Sequence, residues 1–120
     1  MTLTPMDLVA QAKQHITEIN TDDAKNELGK SLILDVREPA EYEAGHLPGA
    51  VNIPRGVLEF KIGSHPDFQD KQADRIIVYC QTGGRSALAA EALNKIGYNK
   101  AVSMAGGFKA WSDSGNEVNV

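Results

Sequence analysis

The sequence predicts an α/β domain built on a central, mainly parallel sheet of about five strands flanked by helices. Two observations carry that expectation. Short apolar segments at 16–19, 31–36, 51–54, 75–79 and 100–104 alternate with helical or turn-rich stretches. The segment Arg75-Ile76-Ile77-Val78-Tyr79 runs apolar without alternation, as strands buried on both faces do. A chain of 120 residues suffices for one hydrophobic core without disulfide or metal. With one cysteine there is no internal bridge.

After a short polar start, Met6 to His15 places Leu8, Val9, Ala12 and Ile16 on one face, the pattern of an amphipathic helix packed on the domain edge, with His15 toward solvent. A short strand follows at 16–19. Thr21 then offers an N-cap, with Asp22 and Asp23 in the first turn of a helix that Gly29 closes. Ser31 to Val36 forms the second strand. Its carboxyl end delivers Asp35, Arg37 and Glu38, and Pro39 starts a short helix carrying Glu41 and Tyr42. Arg37 and Glu41, four apart, are expected to form an ion pair.

Gly45 to Ala50 is turn-rich, and Val51-Asn52-Ile53-Pro54 is a third strand. A brief helix is expected between Gly56 and Ile62, with a helix start or turn at Ser64-His65-Pro66-Asp67. After the strand at 75–79, Ala89, Ala92, Leu93 and Ile96 recur at helical spacing up to Gly97. Lys100 to Met104 is the last inner strand. Phe108 and Trp111, three apart, are expected in the core, and Gly106-Gly107 reads as a tight turn, or as a turn bordering a site at the strand ends. Asn116 to Val120 is either a polar tail or an edge strand.

The stretch Cys80-Gln81-Thr82-Gly83-Gly84-Arg85-Ser86 places the cysteine in a strand-to-helix turn. In an α/β sheet, ligands bind in the crevice beyond the carboxyl ends of the strands. Two glycines allow successive backbone N–H groups to converge into an anion nest above a helix N-terminus, and Arg85 adds a fork of charged donors. Preorganised donors aimed at charge developing on sulfur contribute about 3 kcal/mol each. A lone cysteine is often a buried structural residue. A core cysteine needs neither the glycine pair nor the arginine, so this one is read as reactive.

If the strands are parallel, Asp35 reaches the same sheet edge as Cys80. It either orients the loop or Arg85, or it caps a turn or pairs with a nearby arginine. His46 invites a Cys/His dyad with Cys80, although a loop-fixing hydrogen bond is the simpler reading. No histidine has a partner at metal-ligand spacing, so neither metal nor cofactor is indicated. A net charge of −4 without a basic stripe argues against nucleic-acid binding. The sequence shows no membrane-spanning run or signal-like start, and a reducing, cytoplasmic setting is expected.

Four segments together resemble the single-domain rhodanese (thiosulfate sulfurtransferase) family: Leu34 to Tyr42, Gly45 to Pro54, Cys80 to Ser86, and Gly106 to Trp111. The resemblance implies a rhodanese-like domain at 16–120, preceded by the N-terminal helix at 1–15. It implies that Cys80 takes sulfur from thiosulfate or a persulfide, carries it as a persulfide, and passes it to cyanide or a thiol. Gln81, Thr82, Gly83, Gly84, Arg85 and Ser86 would bind the donor. A protein sulfur acceptor is the further partner it allows, and a persulfide carrier or binding module is the alternative function.

Related cysteine phosphatases, and the arsenate reductases considered with them, form the remaining alternative. The phosphatases carry five residues between cysteine and arginine, where this chain has the four from Gln81 to Gly84. Some larger rhodaneses place basic residues directly after the cysteine. Here Gln81 and Thr82 are neutral, which points to a persulfide or polysulfide donor.

Overall fold

The computed structural model describes residues 2–120. Helix α1 (Pro5–Lys13) precedes β1 (Glu18–Ile19), α2 (Thr21–Asn26), β2 (Leu32–Asp35), α3 (Pro39–Ala44) and β3 (Val51–Asn52). Then come α4 (Leu58–Lys61), β4 (Ile76–Tyr79), α5 (Gly84–Lys95), β5 (Ala101–Met104) and α6 (Gly107–Asp113). The five strands pair in the order β1-β5-β4-β2-β3, all parallel, with β4 in the centre. The sheet is therefore wholly parallel.

Each parallel step needs a crossover, and helices supply it, so both faces of the sheet are covered. Side chains of β4 alternate between them. Ile76, Val78 and Cys80 face a core completed by Leu58 and Ile62, by Phe68, and by Ala89 and Leu93 of α5. Ile77 and Tyr79 face the other core, with Ala24 of α2, Val102 and Met104 of β5, and Trp111 of α6. Helix α1 lies outside this sandwich, where Val9 and Ala12 pack on Ala87 of α5.

Several local expectations change. Asn20, not Thr21, is the N-cap of α2: its Oδ1 accepts the Asp23 N–H at 2.8 Å, while Thr21 is already helical. Leu8 is solvent-exposed, because α1 buries only the narrow stripe of Val9 and Ala12. The 56–62 region is a 3-10 turn at 55–57, one α-helical turn at 58–61 and a second 3-10 turn at 62–64. The strand expected at 51–54 narrows to Val51–Asn52. At the C-terminus, Asn119 and His46 exchange two backbone hydrogen bonds of 2.9 Å as an isolated antiparallel bridge. The segment is neither a free tail nor a full strand.

Register places the chemistry. Asp35 lies opposite Tyr79 and Asn52, so Asp35 and the residue after Tyr79, Cys80, emerge together at the carboxyl edge of the sheet. Truncating the centre of the core, Ile77→Ala, is expected to cost about 2–5 kcal/mol in urea unfolding, because a fully buried position between two packed layers cannot collapse. A loss below about 1 kcal/mol would contradict this packing.

Candidate functional site

Cys80 directly follows β4 and is 1% exposed. The chain then turns through Gly83 at φ +110°, a conformation that favours glycine, and enters α5. That turn aims the Gly83 N–H at the Cys80 Sγ, 3.1 Å away. The sulfur sits at the positive end of a helix. Ser86, one turn into α5, has its Oγ 3.5 Å from the sulfur and 2.8 Å from the buried Ser103 hydroxyl of β5. A hydroxyl chain therefore runs from the adjacent strand to the thiol.

A second helix N-terminus holds the loop from below. The Phe108 N–H donates to the Cys80 carbonyl at 2.8 Å and the Lys109 N–H to the Gln81 carbonyl at 3.0 Å. This approach needs Gly107, where φ is +60° and an added Cβ would lie 2.6 Å from the carbonyl oxygens of Cys80 and Gln81. Of the two readings of Gly106-Gly107, the structure selects the one in which the turn borders the site.

Two arginines flank the loop in different ways. Arg85, at the start of α5, makes a two-pronged pair with Glu41 of α3, at 2.8 and 3.0 Å. Hydrogen bonds from Arg85 pull the Glu41 carboxyl down to about 2, so it is ionised throughout the neutral range. Arg37 is almost wholly buried, and its Nη2 lies 2.8 Å from Asp35 Oδ2. It also donates to the Gly45 carbonyl and to Gln81 Oε1, the latter at 3.2 Å, and lies over the Phe108 ring at 4.4 Å. The expected pair between Arg37 and Glu41 is thus replaced by two others. Helical i,i+4 spacing does not apply to Arg37, because α3 begins only at Pro39.

Asp35 does pair with an arginine, but it is Arg37, and through Arg37 it reaches Gln81 in the loop. It also accepts the Tyr79 hydroxyl at 2.8 Å, and burial together with the Asp35 charge pushes that phenol far above its usual range. Thr82 is exposed at the loop tip, and Gly84 packs under α1, where a Cβ added to it would lie 3.6 Å from Val9. His46 stacks on Tyr42 and its Nδ1 is 2.9 Å from the Tyr42 carbonyl, the loop-fixing arrangement and not a dyad with Cys80. Among the described residues no cluster of three or more metal-ligating side chains occurs.

Three contributors escape sequence reasoning: Glu41 as the partner of Arg85, Arg37 as a brace for Gln81, and Ser103. Only Ser103 carries a signal. It is a lone hydroxyl inside the apolar strand Ala101-Val102-Ser103-Met104, and a buried hydroxyl there needs a partner.

A wholly parallel α/β sheet with a cysteine held between two helix N-termini at its carboxyl edge defines a single-cysteine α/β domain whose thiol accepts a backbone N–H at the start of a helix. The family model for the rhodanese-like domain matches residues 20–114, and the chain belongs to that family. It is 40% identical over 91 residues to thiosulfate sulfurtransferase 16, chloroplastic, of Arabidopsis thaliana, covering 68% of this chain and 74% of that protein. It is 34% identical over 95 residues to the "Putative sulfur carrier protein YrkF" of Bacillus subtilis, covering 79% of this chain but only 45% of the carrier. Among solved structures, a Rhodopseudomonas palustris protein of unknown function, described as a possible tyrosine phosphatase, superposes with a TM-score of 0.88 at 32% identity, over 99% of this chain and 96% of that one.

Two substitutions test this geometry. Gly107→Ala is expected to displace the Cys80 carbonyl, lowering stability by more than about 1 kcal/mol and perturbing the reactivity of Cys80 toward iodoacetamide. An unchanged melting curve and alkylation rate would contradict the contact. Ser103→Ala removes the hydroxyl behind Ser86 and is expected to slow alkylation of Cys80 at neutral pH about fivefold, the equivalent of one lost buried hydrogen bond. Ser103→Thr, which keeps the hydroxyl, should restore most of the rate. Equal rates for all three proteins would mean that Ser103 does not support the sulfur.

Proposed function

We propose that this protein is a sulfurtransferase that moves sulfane sulfur from thiosulfate or a persulfide to a thiophilic acceptor, cyanide or a thiol, through a persulfide on Cys80. The observation that carries this reading is Cys80 itself, a thiol at the start of α5 that accepts the Gly83 N–H and is separated by four residues from Arg85. Membership of the rhodanese-like family and the sulfur-transfer names of its relatives support it.

In the first half-reaction the Cys80 thiolate attacks the outer sulfur of the donor. A new S–S bond forms, the donor's S–S bond breaks, and sulfite or a thiolate leaves with the electron pair. Charge then rests on the terminal sulfur of the persulfide, near the Gly83 N–H and Ser86 hydroxyl, while Arg85 faces the anionic end of the donor. In the second half-reaction the acceptor attacks that terminal sulfur and the Cys80 thiolate leaves. The two steps make a ping-pong scheme. With no second cysteine in the chain, nothing within it can resolve the persulfide.

Phosphatase chemistry fits these groups less well. A sulfane sulfur can approach a nearly buried thiol end-on, whereas a phosphate must seat three oxygens around it. Neither nearby carboxylate is free to protonate a leaving group: Glu41 is ionised against Arg85, and Asp35 is bonded to Arg37 and Tyr79. The specific second reading is a sulfur carrier that receives persulfide from one protein and hands it to another. It is favoured by the burial of Cys80 and by the likeness to the Bacillus protein, of which this chain spans less than half. No helix among the described residues is long and apolar enough to cross a membrane, and a free thiol of this kind is suited to a reducing, cytoplasmic setting.

Intact mass after incubation with thiosulfate, and separately with an organic persulfide, tests the reading. A gain of about 32 Da, the mass of one sulfur atom, removed by cyanide and absent in Cys80→Ser, is expected. No adduct from either donor would sink the sulfur-transfer mechanism. Loading with turnover only in the presence of a protein acceptor would favour the carrier.

A further inference from the structure

Thiosulfate presents two negative charges, and a site that binds it well needs positive charge to spare. The cations around the Cys80 loop are each engaged. Arg85 is held by both carboxylate oxygens of Glu41. Arg37 is buried against Asp35, with its remaining donors on Gly45 and Gln81. Lys109, whose backbone supports the loop, has its ammonium 2.7 Å from Asp113. The residues that follow the cysteine, Gln81 and Thr82, carry no charge. The mouth of the loop therefore has its cations matched one to one by carboxylates.

Glu41 stands apart from the other two carboxylates in this arrangement. Asp35 is buried with Arg37 beneath the loop, and Asp113 lies on the exposed face of α6, whereas Glu41 holds the arginine that follows the cysteine loop. Its Oε1 also accepts the Glu38 N–H at 3.0 Å at the first turn of α3, which fixes the carboxylate from the backbone side. An incoming anion must compete for Arg85 with a carboxylate that is already positioned and costs no entropy to bring in. Two negative charges close together at one guanidinium repel each other, and a dianion suffers this more than a monoanion.

We propose that Glu41 is the specificity-determining residue of this site. By holding Arg85 it keeps the loop mouth neutral, and so selects a donor whose reacting end carries at most one charge, an organic persulfide or polysulfide, over a dianion such as thiosulfate. The inference rests on the sulfur-transfer reading above. The favoured step is attack of the Cys80 thiolate on the terminal sulfur of R–S–SH, forming the Cys80 S–S bond and breaking the donor's S–S bond. R–S⁻ leaves with the electron pair, and the donor's S–H proton is released to solvent from the resulting persulfide.

Glu41→Gln tests it. Glutamine keeps an acceptor for the Glu38 N–H and for one Arg85 N–H, so α3 is expected to survive, which a melting curve checks. Steady-state rates with cyanide as acceptor are compared for thiosulfate and for 2-hydroxyethyl persulfide, whose carbon end is uncharged. The expected result is a rise of about fivefold in kcat/KM for thiosulfate, mainly through KM, with the persulfide changing less than about twofold. A fall for thiosulfate, or an equal change for both donors, would overturn the proposal and leave Glu41 as a residue that only positions Arg85.

Sulfate protection of Cys80 from iodoacetamide gives a readout that needs no sulfur transfer. Half-protection is expected at about fivefold lower sulfate in Glu41→Gln than in the parent, and no difference would overturn the proposal. If the parent protein loads no sulfur from either donor, the transferase reading fails, while the sulfate experiment still decides whether Glu41 guards Arg85.

Discussion

The ion pair between Asp35 and Arg37 is the interaction on which the rest of the site depends. It is buried, and removing one member of such a pair leaves an uncompensated charge that costs about 3–5 kcal/mol. What it holds is unusually spread along the chain. Asp35 ends β2 and takes the hydroxyl of Tyr79 from β4, while that same hydroxyl accepts the Leu47 N–H. Arg37 spans from the turn at Gly45 to Gln81 and lies over Phe108 of α6. Four separated stretches, 35–37, 45–47, 79–81 and Phe108, meet through two side chains. A hydrophobic replacement of similar size could fill that space, but it could not fix the carbonyl of Gly45 and the amide of Gln81 at the same time.

That brace explains why the loop can be short. Four residues between Cys80 and Arg85 leave little backbone with which to aim donors, and the only direct backbone contact to the sulfur comes from Gly83 among the described hydrogen bonds. The remaining order is imported: the N-terminus of α6 takes the carbonyls of Cys80 and Gln81, Arg37 takes the side chain of Gln81, and Ser103 stands behind Ser86. Preorganisation of this kind costs nothing at the moment of reaction, because the groups are held by the fold and not gathered by the substrate. The parallel register of β2 on β4 is what brings these contributors to one edge.

The fold was legible because its signals are local. Ile76 to Tyr79 has to be buried on both faces, and the glycine pair after Cys80 permits a turn that few other residues would make. The loop was legible for the same reason: its members are consecutive. What the sequence did not disclose are pairings across space. Arg37 and Glu41 look like partners on a helical ruler, yet Arg37 precedes Pro39 and is free to fold back onto Asp35, while Glu41, on α3, faces an arginine 44 residues away. Thr21 and Asn20 differ as caps only in where the backbone leaves its extended conformation, which neighbouring composition does not fix. Gly107 shows the opposite case, a glycine whose need is plain once the carbonyls of Cys80 and Gln81 are seen against it.

A mouth whose cations are already matched bears on both halves of the proposed reaction. In a ping-pong scheme the acceptor must reach the same sulfur that the donor reached, so whatever filters the donor also filters the acceptor. Cyanide and a thiolate each bring one charge and a narrow nucleophilic end, and both suit a sulfur that is almost wholly buried. Sulfite, the dianion left by thiosulfate, would return to the persulfide against the same repulsion that hindered its arrival. On the proposal made for Glu41, a neutral mouth would weaken thiosulfate binding and, in the same measure, discourage the reverse reaction in which sulfite reclaims the sulfur. Glu41 would act on the rates of both directions of this exchange and not on the direction of net transfer, since a residue of the protein leaves the equilibrium between free donor and free acceptor unchanged.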